Sequence, residues 1–295
     1  MFERFIVATD LSPASDAVVG CLSGLRALGG RHALLLQCLD MQQAASVALS
    51  YTTALLDDYL ARQKAVLEGQ GFEVETRVVP GFAKREINRI AHAEDCDLIV
   101  VGSHGHSILG EALLGGVASE VIHGAARPVL VVRVARGPES GEVCVSPRTC
   151  ELASHLLFPT DFSPNADLAF TVVGSLVSSG VRQVTLLHVQ DRGLFEPHLT
   201  HRREEFDTID RARLESLAQR LRVQGAGPRV EIALRYGVPH QEILAVARER
   251  DAHLIAMGSQ GRGFVPELLL GSVSHRVARQ AESPVLLIPA ERPRP

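Results

Sequence analysis

Short β-rich apolar runs alternate along the chain with longer stretches whose apolar residues recur at helical spacing. The C-terminal half shows this most clearly, with strands predicted at Ser154–Thr160, Gln183–Val189, Arg229–Arg235, His253–Gly258 and Pro284–Pro289. After the first of these, Ala166, Ala169, Val173, Leu176 and Val177 repeat at helical spacing. Phe206, Ile209, Leu217 and Leu221 do the same after the second, so both faces are expected to cover a sheet. Ser163 followed by Pro164 reads as an N-cap with proline at the first helical position, starting a helix directly after strand one. Strands alternating with helices in this way indicate βαβ units on a parallel sheet.

The chain also repeats itself. A shift of 151 residues aligns Thr9-Asp10-Leu11-Ser12-Pro13 with Thr160-Asp161-Phe162-Ser163-Pro164, Asp16 with Asp167, and Asp40 with Asp191. A shift of 156 aligns Gly81 with Gly237, Glu86-Ile87 with Glu242-Ile243, Gly102-Ser103 with Gly258-Ser259, Leu113-Leu114-Gly115 with Leu269-Leu270-Gly271, and Pro128-Val129-Leu130 with Pro284-Val285-Leu286. The change of register falls between strands two and three, inside a long helix. One copy is therefore expected at 1–135 and another at 153–295, joined by a Gly/Pro/Ser-containing linker over 136–152. A length of 295 residues also suits about two domains.

Each copy carries a glycine loop between an apolar strand and a helix. In the second it reads glycine, two residues, glycine, nine residues, then glycine-serine: Gly258, Gly261, Gly271 and Ser272. Glycines let the backbone approach an anion closely, and the amides at the following helix start aim partial positive charge at it. The first copy repeats the spacing at Gly102, Gly105 and Gly115. In an open parallel sheet a ligand belongs beyond the carboxyl ends of the strands, where the winding direction reverses. If strands one and four are neighbours, Asp161 and Gly258 face one crevice.

Charge and cysteine content narrow the classes. With 30 basic against 34 acidic side chains, neither a polyanion-binding surface nor disorder is implied, and nucleic acid is not an expected partner. The N-terminus shows no leader pattern and no apolar run approaches the ~18 residues of a membrane span, so a cytoplasmic location is expected. Five cysteines without a CxxC pair do not make a disulfide framework. Cys38 and Cys96 read as small core residues, while Cys144 and Cys150 fall in the linker, exposed enough for redox chemistry.

FPTDFS (Phe158–Ser163), LLHV (Leu186–Val189), GVPHQEI (Gly237–Ile243) and the complete glycine motif together make the second copy resemble a universal stress protein domain. That family consists of nucleotide-binding α/β domains, often in tandem, and the resemblance covers nearly the whole chain. It implies two tandem open five-stranded parallel sheets with helices on both faces, strand order 3-2-1-4-5, ATP as ligand, and pairing of domains through their fifth strands. It places Asp161 near the ribose hydroxyls, with Pro159 and Thr160 shaping that wall and Val189 meeting adenine through its backbone. Gly258 and Gly261 would pass close to ribose and phosphates; Gly271, Ser272 and Val273 would offer amides and a hydroxyl to the phosphates. A carboxylate accepts from ribose hydroxyls but repels phosphates, which agrees with Asp161 at the sugar end.

The first copy departs from this pattern: Gly116 stands for Ser272, Ala8 for Pro159 and Cys38 for Val189, while Thr9 and Asp10 are retained. It is expected to bind nucleotide weakly or to be mainly structural.

Other readings use the same residues. The glycine loops could be tight strand-to-helix connections that bind nothing, and Asp10 and Asp161 could only stabilise turns. Arg262 suits either phosphate neutralisation or solvent, and Glu111 and Glu267, between the glycines, read equally well as exposed helix-start acids as they do as catalytic ones. His104 with His106, and His198 with His201, lack the further ligands a zinc site needs, and His188 reads as a hydrogen-bonded interior residue. No GxxxxGK[ST] loop or GxSxG elbow is present. The leading function is an ATP-binding regulatory module, with magnesium beside the phosphates but no protein ligand assigned to it, reporting to an unidentified protein partner. The alternatives are a slow ATP hydrolase or phosphoryl transferase using Asp161 or Glu267, and a scaffold with degenerate pockets. Pairing of the fifth strands Pro128–Val134 and Pro284–Pro289 would make an intrachain pseudo-dimer, with a homodimer also open. The segments Gln190–Thr208 and Asp40–Leu56 are candidate lids over the crevices.

Overall fold

The computed structural model describes residues 1–39, 51–104, 114–136, 143–195, 202–261 and 270–290, without the side chains of 51–55, 136 and 194–195. Two units divide at Glu151 and Leu152. The first runs β1 (Arg4–Thr9), α1 (Pro13–Gly20), β2 (His32–Leu39), α2 (Tyr51–Gly69), β3 (Glu73–Pro80), α3 (Ala83–Ala93), β4 (Leu98–Gly102), α4 (Gly116–Gly124) and β5 (Val129–Val132). All its pairings are parallel, in the order β3-β2-β1-β4-β5. A hairpin of β6 (Val134–Arg136) and β7 (Val143–Val145) follows, then a 3-10 turn over Pro147–Glu151.

The second unit repeats the plan with β8 (His155–Pro159), α5 (Pro164–Ser179), β9 (Gln183–Asp191), α6 (Arg203–Arg222), β10 (Arg229–Gly237), α7 (Pro239–Glu249), β11 (Leu254–Gly258), α8 (Ser272–Gln280) and β12 (Val285–Ile288). Its order is β10-β9-β8-β11-β12, again all parallel. Each unit thus has strand order 3-2-1-4-5 with helices on both faces. In the first, α1 packs on α2 and α3 on α4. In the second, α7 packs on α8, while α5 lies against β11 and α6 against β9 and β10.

Strand composition follows position in the sheet. β8, β11 and β12 are buried at every residue, because helices cover both faces and no alternate position meets water. β3, at one end of its order, has no buried residue and is only half-buried at Val74, Arg77 and Val79. The core of the second unit is filled by Phe158, Leu186, Leu187, Val173, Leu214 and Ile255, all fully buried.

Three expectations shift. Strand one of the second copy runs His155–Pro159, one residue shorter at each end than Ser154–Thr160, and the chain turns soon after it at Phe162 with φ +57°. The α6 stripe divides: Leu217 and Leu221 are buried against the sheet, but Ile209 is 44% exposed and Phe206 half-buried. The helix overhangs the strand ends there. The stretch over 136–152, in its described part, folds with the first unit: β7 packs on α1, and the 3-10 turn packs on the one-turn helix Gly24–Ala27.

His155 supplies a testable pH dependence. It is buried; its Nδ1–H donates to the Arg250 carbonyl at 2.9 Å, so Nε2 accepts from the Thr185 hydroxyl at 2.9 Å. Burial holds its pKa below the ordinary 6.5, so below that pH the unfolded chain binds the proton more readily than the folded one. This contribution to stability is full above pH 6.5 and is lost as pH falls through the folded value. The urea midpoint of the wild type should drop between pH about 7.5 and about 5.5, and His155→Gln should make that drop shallower. An identical slope in both proteins would assign the acid sensitivity to other groups.

Candidate functional site

The Thr-Asp-x-Ser-Pro repeat is a turn built from its own side chains. In the second unit Phe162 takes a left-handed conformation, disfavoured for a bulky residue, at φ +57°. Its N–H donates to Thr160 Oγ1 at 3.0 Å, the Ser163 N–H donates to Asp161 Oδ1 at 3.0 Å, and Ser163 Oγ caps α5 by accepting the Ala166 N–H at 3.2 Å. Leu11 repeats this geometry in the first unit, also at φ +57°. There Leu11 N–H donates to Thr9 Oγ1 at 3.0 Å, Ser12 N–H to Asp10 Oδ1 at 3.1 Å, and Ser15 N–H to Ser12 Oγ at 3.3 Å. Asp10 and Asp161 are therefore turn-stabilising carboxylates through one oxygen. The other oxygen of Asp161 lies against Gly261, where an added Cβ would come within 2.6 Å of Oδ2.

Asp161 and the glycine loop face one cavity of about 530 Å³ in the second unit. Pro159, Thr160, Asp161, Val189, Gly258, Gly261, Gly271, Ser272 and Val273 all line it. The loop is pinned by the Gly271 N–H to the Ser259 carbonyl at 2.7 Å and by Ser274 Oγ to the same carbonyl at 2.9 Å. A Cβ at Gly258 would approach the Gln260 and Asn165 carbonyls to 3.1 and 3.3 Å. Gly271 caps α8, and the first bond from a helix residue back to it is His275 N–H to Gly271 O at 2.9 Å. The amides of Ser272, Val273 and Ser274 precede that bond, so they have no acceptor within the helix. The three residues that carry them line the cavity. Arg262 and Glu267 lie outside the described residues.

The wall beside β9 joins apolar and polar groups that the motifs do not mark. Phe206, Ile209, Ile243 and Met257 line it together with His188, Gln190, Asp210 and Arg213. Asp210 is only 6% exposed; Gln190 Nε2 donates to its Oδ2 at 3.0 Å, and His188 Nε2 lies 3.6 Å from the same oxygen. His188 Nδ1–H donates to the Thr160 carbonyl at 2.7 Å, and its ring packs on Phe162 at 4.6 Å, so this histidine is a hydrogen-bonded interior residue. Arg213 covers the other side of Phe162, 4.3 Å from the ring centroid, with Nη1 3.9 Å from Asp210 Oδ1. Asp210 occupies the buried stripe of α6 with Leu214, Leu217 and Leu221, and an acid on an apolar stripe is the sequence signal that could have found it.

In the first unit Gly115 repeats the pinning contact, its N–H donating to the Ser103 carbonyl at 2.7 Å. Gly102 ends β4, and Gly116 opens α4 without a hydroxyl. Cys38 lies near the end of β2, its thiol pushed up to about 11 by burial and by Glu86, against the opposing Arg89. Gly105, Glu111, His106, His198 and His201 lie outside the described residues, as do Asp40 and parts of both candidate lids. Among the described residues no group of three His, Cys, Asp or Glu is placed to hold a metal ion, so magnesium still has no protein ligand assigned. Nor is any described helix long and apolar enough to cross a membrane.

Residues 1–133 and 153–289 each match the universal stress protein family. The chain belongs to the universal stress protein family. One similar member, from Mycolicibacterium smegmatis, is 29% identical over 273 residues, covering 90% of this chain and 82% of its own length. Universal stress protein MJ0577 of Methanocaldococcus jannaschii is 31% identical over 150 residues, covering 45% of this chain and 93% of its own. Among solved structures, a universal stress protein of Archaeoglobus fulgidus superposes with a TM-score of 0.74 at 24% identity, over 97% of this chain and 98% of its own. A tandem family member thus carries two copies of one fold whose motif residues have diverged.

The polar wall of the second family domain is open to a direct test. Asp210→Ala removes the acceptor of a buried Gln190 amide and should destabilise the chain by about 1–3 kcal/mol. Asp210→Asn retains an acceptor oxygen and should lose less. Chemical denaturation of the three proteins checks this, and equal stability of Asp210→Ala and wild type would show that the contact contributes nothing.

Proposed function

We propose that the second unit binds ATP and that its occupancy is read by a protein partner in a stress response. The observation that carries this reading is the convergence of a carboxylate, a glycine loop and a helix start on one cavity. Its volume of about 530 Å³ falls in the ~300–1,000 Å³ range of small-molecule pockets. Each end suits one part of a nucleotide. The amides of Ser272 and Val273, with the Ser272 hydroxyl, provide donors and the positive end of the α8 dipole for phosphates. Asp161 meets the ribose hydroxyls, and close passage of Gly258 and Gly261 leaves room for the sugar. The base lies against Val189 and the apolar group Phe206, Ile209, Ile243 and Met257.

Asp210 adds a preference within this reading. A nearly buried carboxylate beside the base pocket accepts from an amino group and repels a ring nitrogen lone pair, which favours a purine bearing an exocyclic amine. Magnesium accompanies the phosphates through their own oxygens and water. The first unit, with Gly116 in place of Ser272, binds weakly or serves the fold.

Calorimetric titration of the full chain with ATP tests the site. A single strong binding event per chain is expected, abolished by Ser272→Asp, which sets a negative charge among the phosphates, and retained by Gly116→Asp in the first unit. Ser272→Ala should weaken binding roughly tenfold. Binding untouched by Ser272→Asp, or no binding at all, would overturn the reading. Purine riboside triphosphate, which lacks the amine, should bind roughly tenfold more weakly than ATP to the wild type and equally to Asp210→Ala. Equal binding of both by the wild type would remove the role given to Asp210 while leaving the nucleotide site standing.

A further inference from the structure

The segment ahead of the second unit is held to the first by a contact that the nucleotide site does not use. After α1, the chain passes Cys21 and Leu22 and enters the one-turn helix Gly24–Ala27. The 3-10 turn Pro147–Glu151 sits directly on that helix. A Cβ at Gly24 would lie 2.8 Å from the Thr149 carbonyl oxygen and 3.0 Å from the Cys150 carbonyl, so glycine alone allows the two backbones to touch. Leu22, Thr149 and Leu152 are fully buried around the contact. Cys21 and Cys150 are both half-buried, and they flank this backbone contact, Cys21 three residues ahead of Gly24 and Cys150 on the turn that touches it.

We propose that Cys21 and Cys150 are a redox modification site, forming a reversible disulfide that staples the segment Val143–Glu151 onto the first unit. The other cysteines have different surroundings: Cys38 lies near Glu86 and Arg89, Cys96 is buried near Arg4, and Cys144 is exposed on β7. The oxidant is a peroxide. The Cys150 thiolate attacks one peroxide oxygen; an S–O bond forms, the O–O bond breaks, and hydroxide leaves and takes a proton to become water. The Cys21 sulfur then attacks the Cys150 sulfenic acid. An S–S bond forms, the S–O bond breaks, and the departing hydroxide leaves as water with the Cys21 proton. Two thiols and one peroxide give one disulfide and two waters. Burial, with Cys150 alongside, pushes the Cys21 thiol up to about 12, which suits Cys21 to the resolving role. The bond closes a loop spanning more than a hundred residues, the case in which a cross-link most restricts the unfolded chain.

Hydrogen peroxide treatment of the full chain, followed by non-reducing peptide mapping, tests the pairing. The expected product is a Cys21–Cys150 linked peptide, two hydrogens lighter than its thiols, lost on adding dithiothreitol and absent from Cys21→Ser and Cys150→Ser. Cys144→Ser should keep the link. Hydrogen exchange over Val143–Glu151 should slow on oxidation and recover on reduction. Recovery of Cys21 as a free thiol after Cys150 has been oxidised would overturn the proposal, as would a link joining Cys144 to Cys150 or an exchange rate that ignores the link.

Discussion

The five-residue turn that ends the first strand of each unit governs what the rest can do. It forces a leucine or a phenylalanine into the left-handed region, a conformation disfavoured by about 1–2 kcal/mol for a residue with a Cβ. Hydrogen bonds from the threonine, aspartate and serine side chains, each worth about 0.5–1.5 kcal/mol, offset that strain. The same bonds start the next helix and leave a carboxylate at the carboxyl end of the central strand. One oxygen of Asp161 holds the turn and the other faces the glycine loop. Holding the turn therefore does not take Asp161 away from the cavity, which it lines as well.

Around that turn the two units keep one scaffold and differ in chemistry. The Gly115 and Gly271 amides make matching 2.7 Å bonds to Ser103 and Ser259. Ser274 adds a second bond to the Ser259 carbonyl, whereas the first unit has Ala118 at the matching position. His188 bonds to Thr160 and neighbours Asp210, whereas Gln37 stands at the equivalent strand position, buried and with no hydrogen-bond partner for its Oε1 among the described residues. A parallel sheet covered on both faces tolerates this divergence because its stability lies in apolar strand residues that do not reach the cavity mouth. The residues at the strand ends are then free to change.

The second cavity also depends on how far α6 extends. Leu214, Leu217 and Leu221 bury against the sheet, and the turns before them run past the strand ends. Phe206 and Ile209 consequently face the cavity, and Asp210 enters it from the same stripe that fills the core. A carboxylate so far from water stays in place through Gln190 and its neighbours His188 and Arg213. The cavity is thereby apolar over much of one wall and charged at one point on it.

Periodicity and the internal repeat were enough to specify the strands, the tandem plan and the glycine loop, because each is a local or regularly spaced signal, whereas Val189 and Val273 came from the family resemblance. The strands of the second copy lie within two residues of their sequence-derived limits, and Asp161, Val189, Gly258, Gly261, Gly271, Ser272 and Val273 come together as their positions at strand and helix ends require. Gln190 and Arg213 became cavity residues only through folding, and the acid on the α6 stripe marks Asp210 as unusual without saying that the stripe overhangs the sheet at that point. The stretch over 136–152 carries linker composition, yet its described part is a hairpin and a 3-10 turn folded onto α1 and Gly24. Which groups meet across more than a hundred residues, Gly24 with Cys150 among them, is decided by three-dimensional packing. Local patterns encode direction and burial along the chain but carry no distance between remote segments.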